Sequence, residues 1–244
     1  MTTKPRLFIT QELRKNLEFF LPDAQAHYLC HVLRMAAGSS FLAFDGKTGE
    51  FECELSACGK KQAAAKVLRQ TRNFEKAPDI HLLFAPVKKD KTDFIVEKST
   101  ELGVSKIVPV ITRRTISEKI KKERYIAQAV EAAEQCRRLD VPDVADAQNL
   151  EAALKEWDEN RILYYMDETG QGRPVAEVFA EDTGKHQAAA VLVGPEGGFD
   201  ETELGFLRKQ KYAKGVSLGK RILRAETAVV AALSCWQAIC GDWE

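Results

Sequence analysis

The sequence predicts an α/β protein in two parts: a small β-rich domain over residues 1–72, and a larger domain over residues 80–244 built on a mostly parallel sheet. Three observations carry this. Glu50 to Leu55 alternates charged and apolar residues with the period of two that a half-buried strand shows. From Ile80 onward, short apolar runs alternate with helix-length amphipathic segments, the pattern of strand–helix units in a parallel sheet. Two of those runs end in glycine-bearing loops that lead directly into a helix, VLVGPEGGFDETEL (Val191–Leu204) and SLGKRILRAETAVVAAL (Ser217–Leu233).

In chain order, AQAHYLCHVLRM reads as a short helix. FLAFDGKTGEFECELSAC reads as two strands joined by a turn at Asp45-Gly46-Lys47-Thr48-Gly49, with Phe51, Cys53 and Leu55 facing inward and Glu50, Glu52 and Glu54 outward. Residues 73–79, with Pro78 and several charges, form the linker. HLLFAP is a buried strand, and Lys91–Leu102 is a helix that stops at Gly103, a residue suited to the left-handed conformation past a helix end. VSKIVPVIT is the next strand, and Glu123–Leu139 is a helix with Ile126, Val130 and Ala133 on one face. RILYYM, AAAVLVG and AKGVSLG are strands; Glu201–Gln210 and Arg224–Ile239 are helices.

Composition narrows the classes. With 244 residues, 45% of them hydrophobic, the chain can bury a large core. No stretch approaches the roughly 20 apolar residues of a membrane helix, and the start MTTKPRLFIT lacks the pattern of a secretory signal. The cysteines Cys30, Cys53, Cys58, Cys136, Cys235 and Cys240 form no CxxC pair and lie in apolar or helical runs, so they are expected to be free thiols of a reducing, cytoplasmic protein, with no metal site. His27 and His31 lie one helical turn apart without further ligands and are read as structural.

Formal net charge is zero but unevenly spread: residues 1–75 hold 11 Lys/Arg against 8 Asp/Glu, and the rest 25 against 28. Lys60, Lys61, Lys66, Arg69 and Arg72 form one basic run, and Arg113 to Arg124 another; each is either a solvated face or a phosphate-binding surface. Gly170-Gln171-Gly172 lacks the third glycine of a dinucleotide fingerprint, with Val175 in its place and no evident helix start, and is read as a loop. No phosphate-loop or serine-nucleophile motif is present.

The GPEGG segment, Gly194–Gly198, brings backbone close to any ligand at the end of its strand, and Asp200 with Glu203 forms a capping-box pattern for the following helix. In the second segment Ile222 and Leu223 can wall an apolar slot, while Arg224, Glu226 and Thr227 gather at a helix start. Glu226 there is either a functional acid or simply a good first-turn residue for the helix dipole. If the two strands are neighbours, the loops frame one pocket rich in backbone donors and acceptors, which suits a purine edge. It offers few fixed cations, which suits a cationic ligand better than a triphosphate.

These residues resemble the RsmE family of 16S ribosomal RNA (uracil-N3)-methyltransferases in the SPOUT superfamily, over nearly the whole chain. The similarity rests on His27, Leu33, Arg34, Gly38, Asp45, Gly46 and Gly49 near the start; on Lys98 and Glu101-Leu102-Gly103-Val104; on Glu134-Gln135-Cys136-Arg137-Arg138 with Pro142; and most specifically on GPEGG and LGxRILRxETA. The resemblance implies a PUA-like β-barrel that helps hold RNA and a C-terminal domain with a deep trefoil knot. It further implies a homodimer and, as target, a uridine of 16S RNA in the small ribosomal subunit. It implies S-adenosyl-L-methionine as cofactor, held by Val193, Gly194, Pro195, Glu196, Gly197, Gly198, Leu218, Gly219, Ile222, Leu223 and Thr227, with Met166 in the loop after RILYY.

Methyl transfer to uridine N3 needs an unpaired or flipped base and removal of the N3 proton. Arg224 is the candidate for stabilising the uracil anion, and Glu226 the candidate base or orienter of Arg224. Arg34, Lys60, Lys61, Arg114, Arg137 and Arg138 are the candidates for gripping RNA phosphate. The competing readings are a non-catalytic RNA-binding ribosome-assembly factor and a methyltransferase for another RNA position such as tRNA ribose. Two complete cofactor loops argue against the first, and the LRAETA segment with the N-terminal domain against the second.

Overall fold

A computed structural model describes residues 4–59, 62–116, 120–185 and 188–243. The chain divides into two compact units, residues 1–76 with 133–141, and residues 77–132 with 142–244.

In the first unit, among the described residues, five strands form one sheet: β1 (Arg6–Phe8), β2 (Glu18–Phe20), β3 (Ser40–Phe44), β4 (Gly49–Cys58) and β5 (Ala63–Asn73), in the order β1-β3-β4-β5-β2. Leu7 at one end of that order and Phe19 at the other belong to one core with Phe41, Phe51, Cys53 and Leu55, as a sheet curled towards a barrel requires. Phe51, Cys53 and Leu55 are buried as their alternation predicts, but Glu50 is buried too. Arg6 Nε donates to Glu50 Oε2 at 2.6 Å, which neutralises the charge. The other Arg6 nitrogens donate to the carbonyls of Ala133 and Arg138 at 2.8 and 2.6 Å, which ties the 133–141 segment into this unit.

The β3–β4 turn follows from its sequence. Asp45 Oδ1 accepts the Lys47 and Thr48 N–H groups at 2.9 and 2.8 Å, and Oδ2 accepts that of Leu13 at 2.8 Å. Burial pushes the Asp45 carboxyl up, but these donors outweigh it and hold it below its ordinary value. The short helix is α1 (Asp23–His27), which continues into a π-helical turn over Tyr28–Val32. That turn carries Cys30 to Cys58 at the end of β4, where the two are joined as a disulfide with Cα atoms 6.1 Å apart. The expectation of six free thiols is therefore corrected. The two residues lie 28 positions apart, and only strand and helix placement brings them together.

The second unit opens with β6 (Ile80–Phe84), α2 (Lys89–Glu101), β7 (Lys106–Ile111) and α3 (Lys122–Cys136), whose last residues belong to the first unit. Short pieces follow: β8 (Asp143–Val144), β9 (Gln148–Asn149) and α4 (Leu150–Leu154). Then come β10 (Arg161–Met166), β11 (Arg173–Pro174), α5 (Val175–Asp182), β12 (Ala188–Val193), α6 (Glu201–Arg208), β13 (Ala213–Ser217) and α7 (Ala225–Cys240). The strand order is β11-β13-β10-β12-β6-β7-β8, with every pairing parallel. Leu150, Leu154, Leu204 and Leu207 of α4 and α6 pack on one face of the sheet, against Leu163, Tyr165, Ala190 and Leu192. Helices α2 and α5 each pack against α7, which in turn packs against β12.

Gly103 has φ +81° just past α2, as its position predicts, and its missing Cβ leaves room for the Gln237 amide that donates to Leu102 O at 2.6 Å. The Gly170–Gly172 segment is a loop, but a helix does start at Val175, contrary to expectation. Pro174 precedes it with φ −54°, a value already close to helical. The structure has no helix long and apolar enough to cross a membrane among the described residues.

Candidate functional site

The strands ending in the two glycine loops are not neighbours. Strand β10 lies between β12 and β13, so three loops meet at the C-terminal edge of the sheet, where parallel sheets bind ligands. They enclose a cavity of about 340 Å³, within the range of small-molecule sites. Of the residues predicted for the cofactor, Met166, Val193, Gly194, Pro195, Glu196, Gly198, Leu218, Gly219, Ile222 and Leu223 line it. Gly197 and Thr227 do not; Gly197 faces Arg114, and Thr227 is exposed on the first turn of α7.

Sequence reasoning missed Asp167, Glu168, Thr169 and Gly170 after β10, and Val216, Ser217, Lys220, Arg221, Ala225 and Ala228 around β13 and α7, all of which line the cavity. The available signal was that RILYYM is itself a parallel strand, so the loop at its C-terminal end is a site candidate on the same ground as the other two.

The Gly194–Phe199 loop is held from several sides. Gly198 N–H donates to Pro195 O at 2.9 Å, closing a turn, and Gly198 has φ +68°. A Cβ on Gly194 would press on the Phe199 ring at 3.1 Å. Arg114 Nη1 donates to Gly197 O at 2.6 Å, and Phe199 N–H donates to Glu168 Oε1 at 3.2 Å. The capping box is present: Asp200 Oδ1 accepts Glu203 N–H at 2.8 Å, and Glu203 Oε2 accepts Asp200 N–H at 2.9 Å. The other oxygen of Glu203 accepts Arg113 N–H at 2.8 Å, which fastens the loop after β7 to the same place.

On the opposite wall, Leu218 and Leu223 are half-buried and Ile222 is 84% exposed. The wall is thus apolar and open to the cavity. Buried Asp167 is occupied: its Oδ1 accepts the Thr169 N–H at 2.9 Å, and Oδ2 lies 3.7 Å from Arg208 Nη2. Glu168 and Glu196 add negative charge, Lys220 and Arg221 positive.

Arg224 and Glu226 do not line the cavity but stand at the start of α7, immediately beside it. Arg224 is exposed at the N-cap position. Glu226 is 8% exposed and accepts from Lys91 Nζ of α2 at 2.5 Å. Burial pushes its carboxyl up, but the Lys91 ammonium, its own backbone N–H and the Arg224 charge together hold it below its ordinary value.

Of the residues predicted for RNA, Arg34 is exposed with φ +54°. Arg137 is exposed with φ +66°, its carbonyl accepting from Arg72. Arg138 has a side chain only 10% exposed, with Nε on Asp140 at 2.9 Å. Arg114 is exposed beside the cavity loop. Lys60 and Lys61 lie outside the described residues.

Residues 75–237 match a family described as an RNA methyltransferase domain, and residues 21–68 match an RNA methyltransferase PUA domain. The Ribosomal RNA small subunit methyltransferase E of Rickettsia conorii is 31% identical over 94% of this chain and 93% of its own length. The protein of that name from Bacillus subtilis is 30% identical over 92% and 91%. Among solved structures, the Neisseria gonorrhoeae Ribosomal RNA small subunit methyltransferase E bound to S-adenosyl methionine superposes with a TM-score of 0.89 at 30% identity, covering 99% of this chain and 100% of that one. A Legionella pneumophila methyltransferase in complex with the same cofactor gives 0.86 at 28% identity, covering 99% and 100%. With a three-loop cavity, a PUA-like first unit and similarity along its whole length, the chain belongs to the ribosomal RNA small subunit methyltransferase E family.

Proposed function

We propose that this protein methylates N3 of a specific uridine in 16S ribosomal RNA of the small subunit, with S-adenosyl-L-methionine as donor. The observation that carries this reading is the three-loop cavity at the carboxyl edge of β10, β12 and β13 in a chain whose full-length relatives are small-subunit ribosomal RNA methyltransferases. The residues suit that cofactor. Glycines at 194 and 198 expose backbone for hydrogen bonds, Leu218, Ile222 and Leu223 supply apolar surface, and Glu168 and Glu196 bring anionic charge for a sulfonium, with Lys220 and Arg221 at the β13 side available to an anionic group. When bound, S-adenosylmethionine supplies a methyl group on a sulfonium, a strong electrophile.

The chain's own tasks are alignment and management of the N3 proton. Arg224, exposed at the N-cap of α7 between the cavity-lining Leu223 and Ala225, is the candidate for stabilising negative charge on uracil as the proton leaves. Glu226 is paired with Lys91 and held ionised, which makes it a weak base and favours a role in setting the α7 start; proton removal by Glu226 is the alternative that a Gln substitution tests. Arg34, Arg114 and Arg137 are the exposed candidates for RNA phosphate, and Arg138, mostly buried on Asp140, is the weakest. Lys60 and Lys61 complete that set. The reading assigns residues 1–72 to RNA binding, 73–79 to a linker and 80–244 to methyl transfer. It includes the family's trefoil knot, a homodimer and a cytoplasmic setting, where the Cys30–Cys58 bond is exposed to thiol reductants.

The deciding experiment is methyl transfer from labelled S-adenosylmethionine to small subunits from a strain lacking this protein, with the product nucleoside identified by mass spectrometry. We expect 3-methyluridine in 16S RNA. Another methylated nucleoside would point to a different RNA position. Absence of both transfer and cofactor binding would leave an RNA-binding assembly factor.

A further inference from the structure

Glu168 stands in the loop after β10, the strand between the two glycine-loop strands, and lines the cavity. Its Oε1 accepts the Phe199 N–H at 3.2 Å. A Cβ on Gly198 would overlap that oxygen and come within 2.7 Å of Glu168 Cδ, so the glycine is demanded by the carboxylate as well as by its φ of +68°. The cavity loop is thus gripped by an anion on the cavity side and by Arg114, which does not line the cavity, on Gly197 O at 2.6 Å.

The grip accounts for one oxygen and for no charge. A neutral amide would accept the Phe199 N–H equally well. Among the described residues no Lys, Arg or His forms an ion pair with Glu168, whereas its neighbour Asp167 is occupied by Thr169 and Arg208. Glu168 is solvent-exposed, so its second oxygen is open to water or to a positive ligand entering the cavity. Methyl transfer changes the ligand's charge at one atom: the N3 proton passes to water, the pair it leaves on N3 forms the N3–CH3 bond, and the S–CH3 bonding pair stays on sulfur. The sulfonium thereby becomes a neutral thioether.

We propose, resting on the cofactor reading of this cavity, that Glu168 is a positioning residue with two roles. Oε1 holds the Gly194–Phe199 loop, and Oε2 places negative charge beside the sulfonium, so that the site favours the charged cofactor over its thioether product. The charge preference holds substrate before transfer and loosens product after it.

The test is calorimetric titration of S-adenosylmethionine and S-adenosylhomocysteine against the wild type, Glu168→Gln and Glu168→Ala. The two ligands share ribose, adenine and amino-acid ends and differ at sulfur. The Gln variant is expected to lose roughly tenfold in affinity for S-adenosylmethionine, the size of one charge pair at a partly exposed site, and under about threefold for the thioether. Its KM for the cofactor rises with little change in kcat. The Ala variant loses both ligands; should it not fold, the isosteric Gln comparison stands alone. Equal losses for both ligands in Glu168→Gln, or no loss for either, would overturn the proposal while leaving the cofactor site intact. A wild type that binds neither ligand would overturn the cofactor reading itself, and the proposal with it.

Discussion

At the residue scale, the site is decided by where a side chain is forbidden as much as by where one is present. Gly198 combines φ +68° with a neighbour, Glu168, that occupies the place of a Cβ. Gly198→Ala is expected to cost about 1–3 kcal/mol of local strain and to displace the carboxylate. Where that cost falls on the cofactor-bound loop, affinity drops by roughly 5- to 150-fold, at about 1.4 kcal/mol per factor of ten; calorimetry checks this. Glu226 is the second test. A general base contributes roughly 10²–10⁴-fold to a rate, whereas a carboxylate that merely pairs with Lys91 contributes far less. Its paired, ionised state leads us to expect Glu226→Gln to retain kcat within about tenfold; a loss within the base's range would restore the proton-transfer role. Arg138 shows how a sequence pattern can mislead: two adjacent arginines look alike, yet only Arg137 is exposed, because Arg138 turns inward to Asp140.

At the scale of elements, the start of β6 and the π turn each carry a measurable signature. His81 on β6 is pushed down to about 4, first by burial and then by Arg161, with Asp79 only partly opposing. The unfolded chain protonates this imidazole below its ordinary value of 6.5 while the folded chain resists until about 4. The unfolded state therefore binds more protons in that window, and stability falls as pH drops from 6.5 towards 4. Denaturant melts at pH 7 and pH 5 should show the loss, and His81→Asn should flatten it. The Cys30–Cys58 bond closes a 28-residue separation, for which chain-entropy arguments give about 3–4 kcal/mol. Thermal melts with and without reductant should differ accordingly, and the double variant Cys30→Ser, Cys58→Ser should melt like the reduced protein. The helices anticipated from periodicity, α2, α3, α6 and α7, appear within a few residues of their expected ends. The short pieces β8, β9, α4 and α5 were not foreseen, because two to eight residues carry too little periodicity to read.

For the molecule as a whole, zero net charge hides a basic N-terminal portion. If exposed arginines of the first unit, Arg34 and Arg137, hold phosphate, the affinity for ribosomal RNA falls steeply with salt. Replacing Arg34 or Arg137 by Ala should reduce the log–log salt slope by about 1 each, without altering which nucleotide is methylated. Filter binding across a salt series measures the first and nucleoside mapping the second. Replacement of Arg138 should change the slope little and stability more, since its guanidinium is taken up by Asp140.

What the sequence by itself determined is local: the period-2 strand at Glu50–Leu55, the Asp45–Gly49 turn, the Asp200–Glu203 capping box and the glycine loops, each set by interactions within a few residues. The tertiary structure alone decided the order of strands. That order placed β10 between β12 and β13 and brought Asp167, Glu168, Thr169 and Gly170 into the cavity beside the expected Met166. It likewise decided that Cys30 meets Cys58, that Glu50 is buried on Arg6, and that Glu226 faces Lys91 from 135 positions away. Parallel strands are joined by long crossovers, so neither their order nor the contacts it creates is written in the spacing of any one segment.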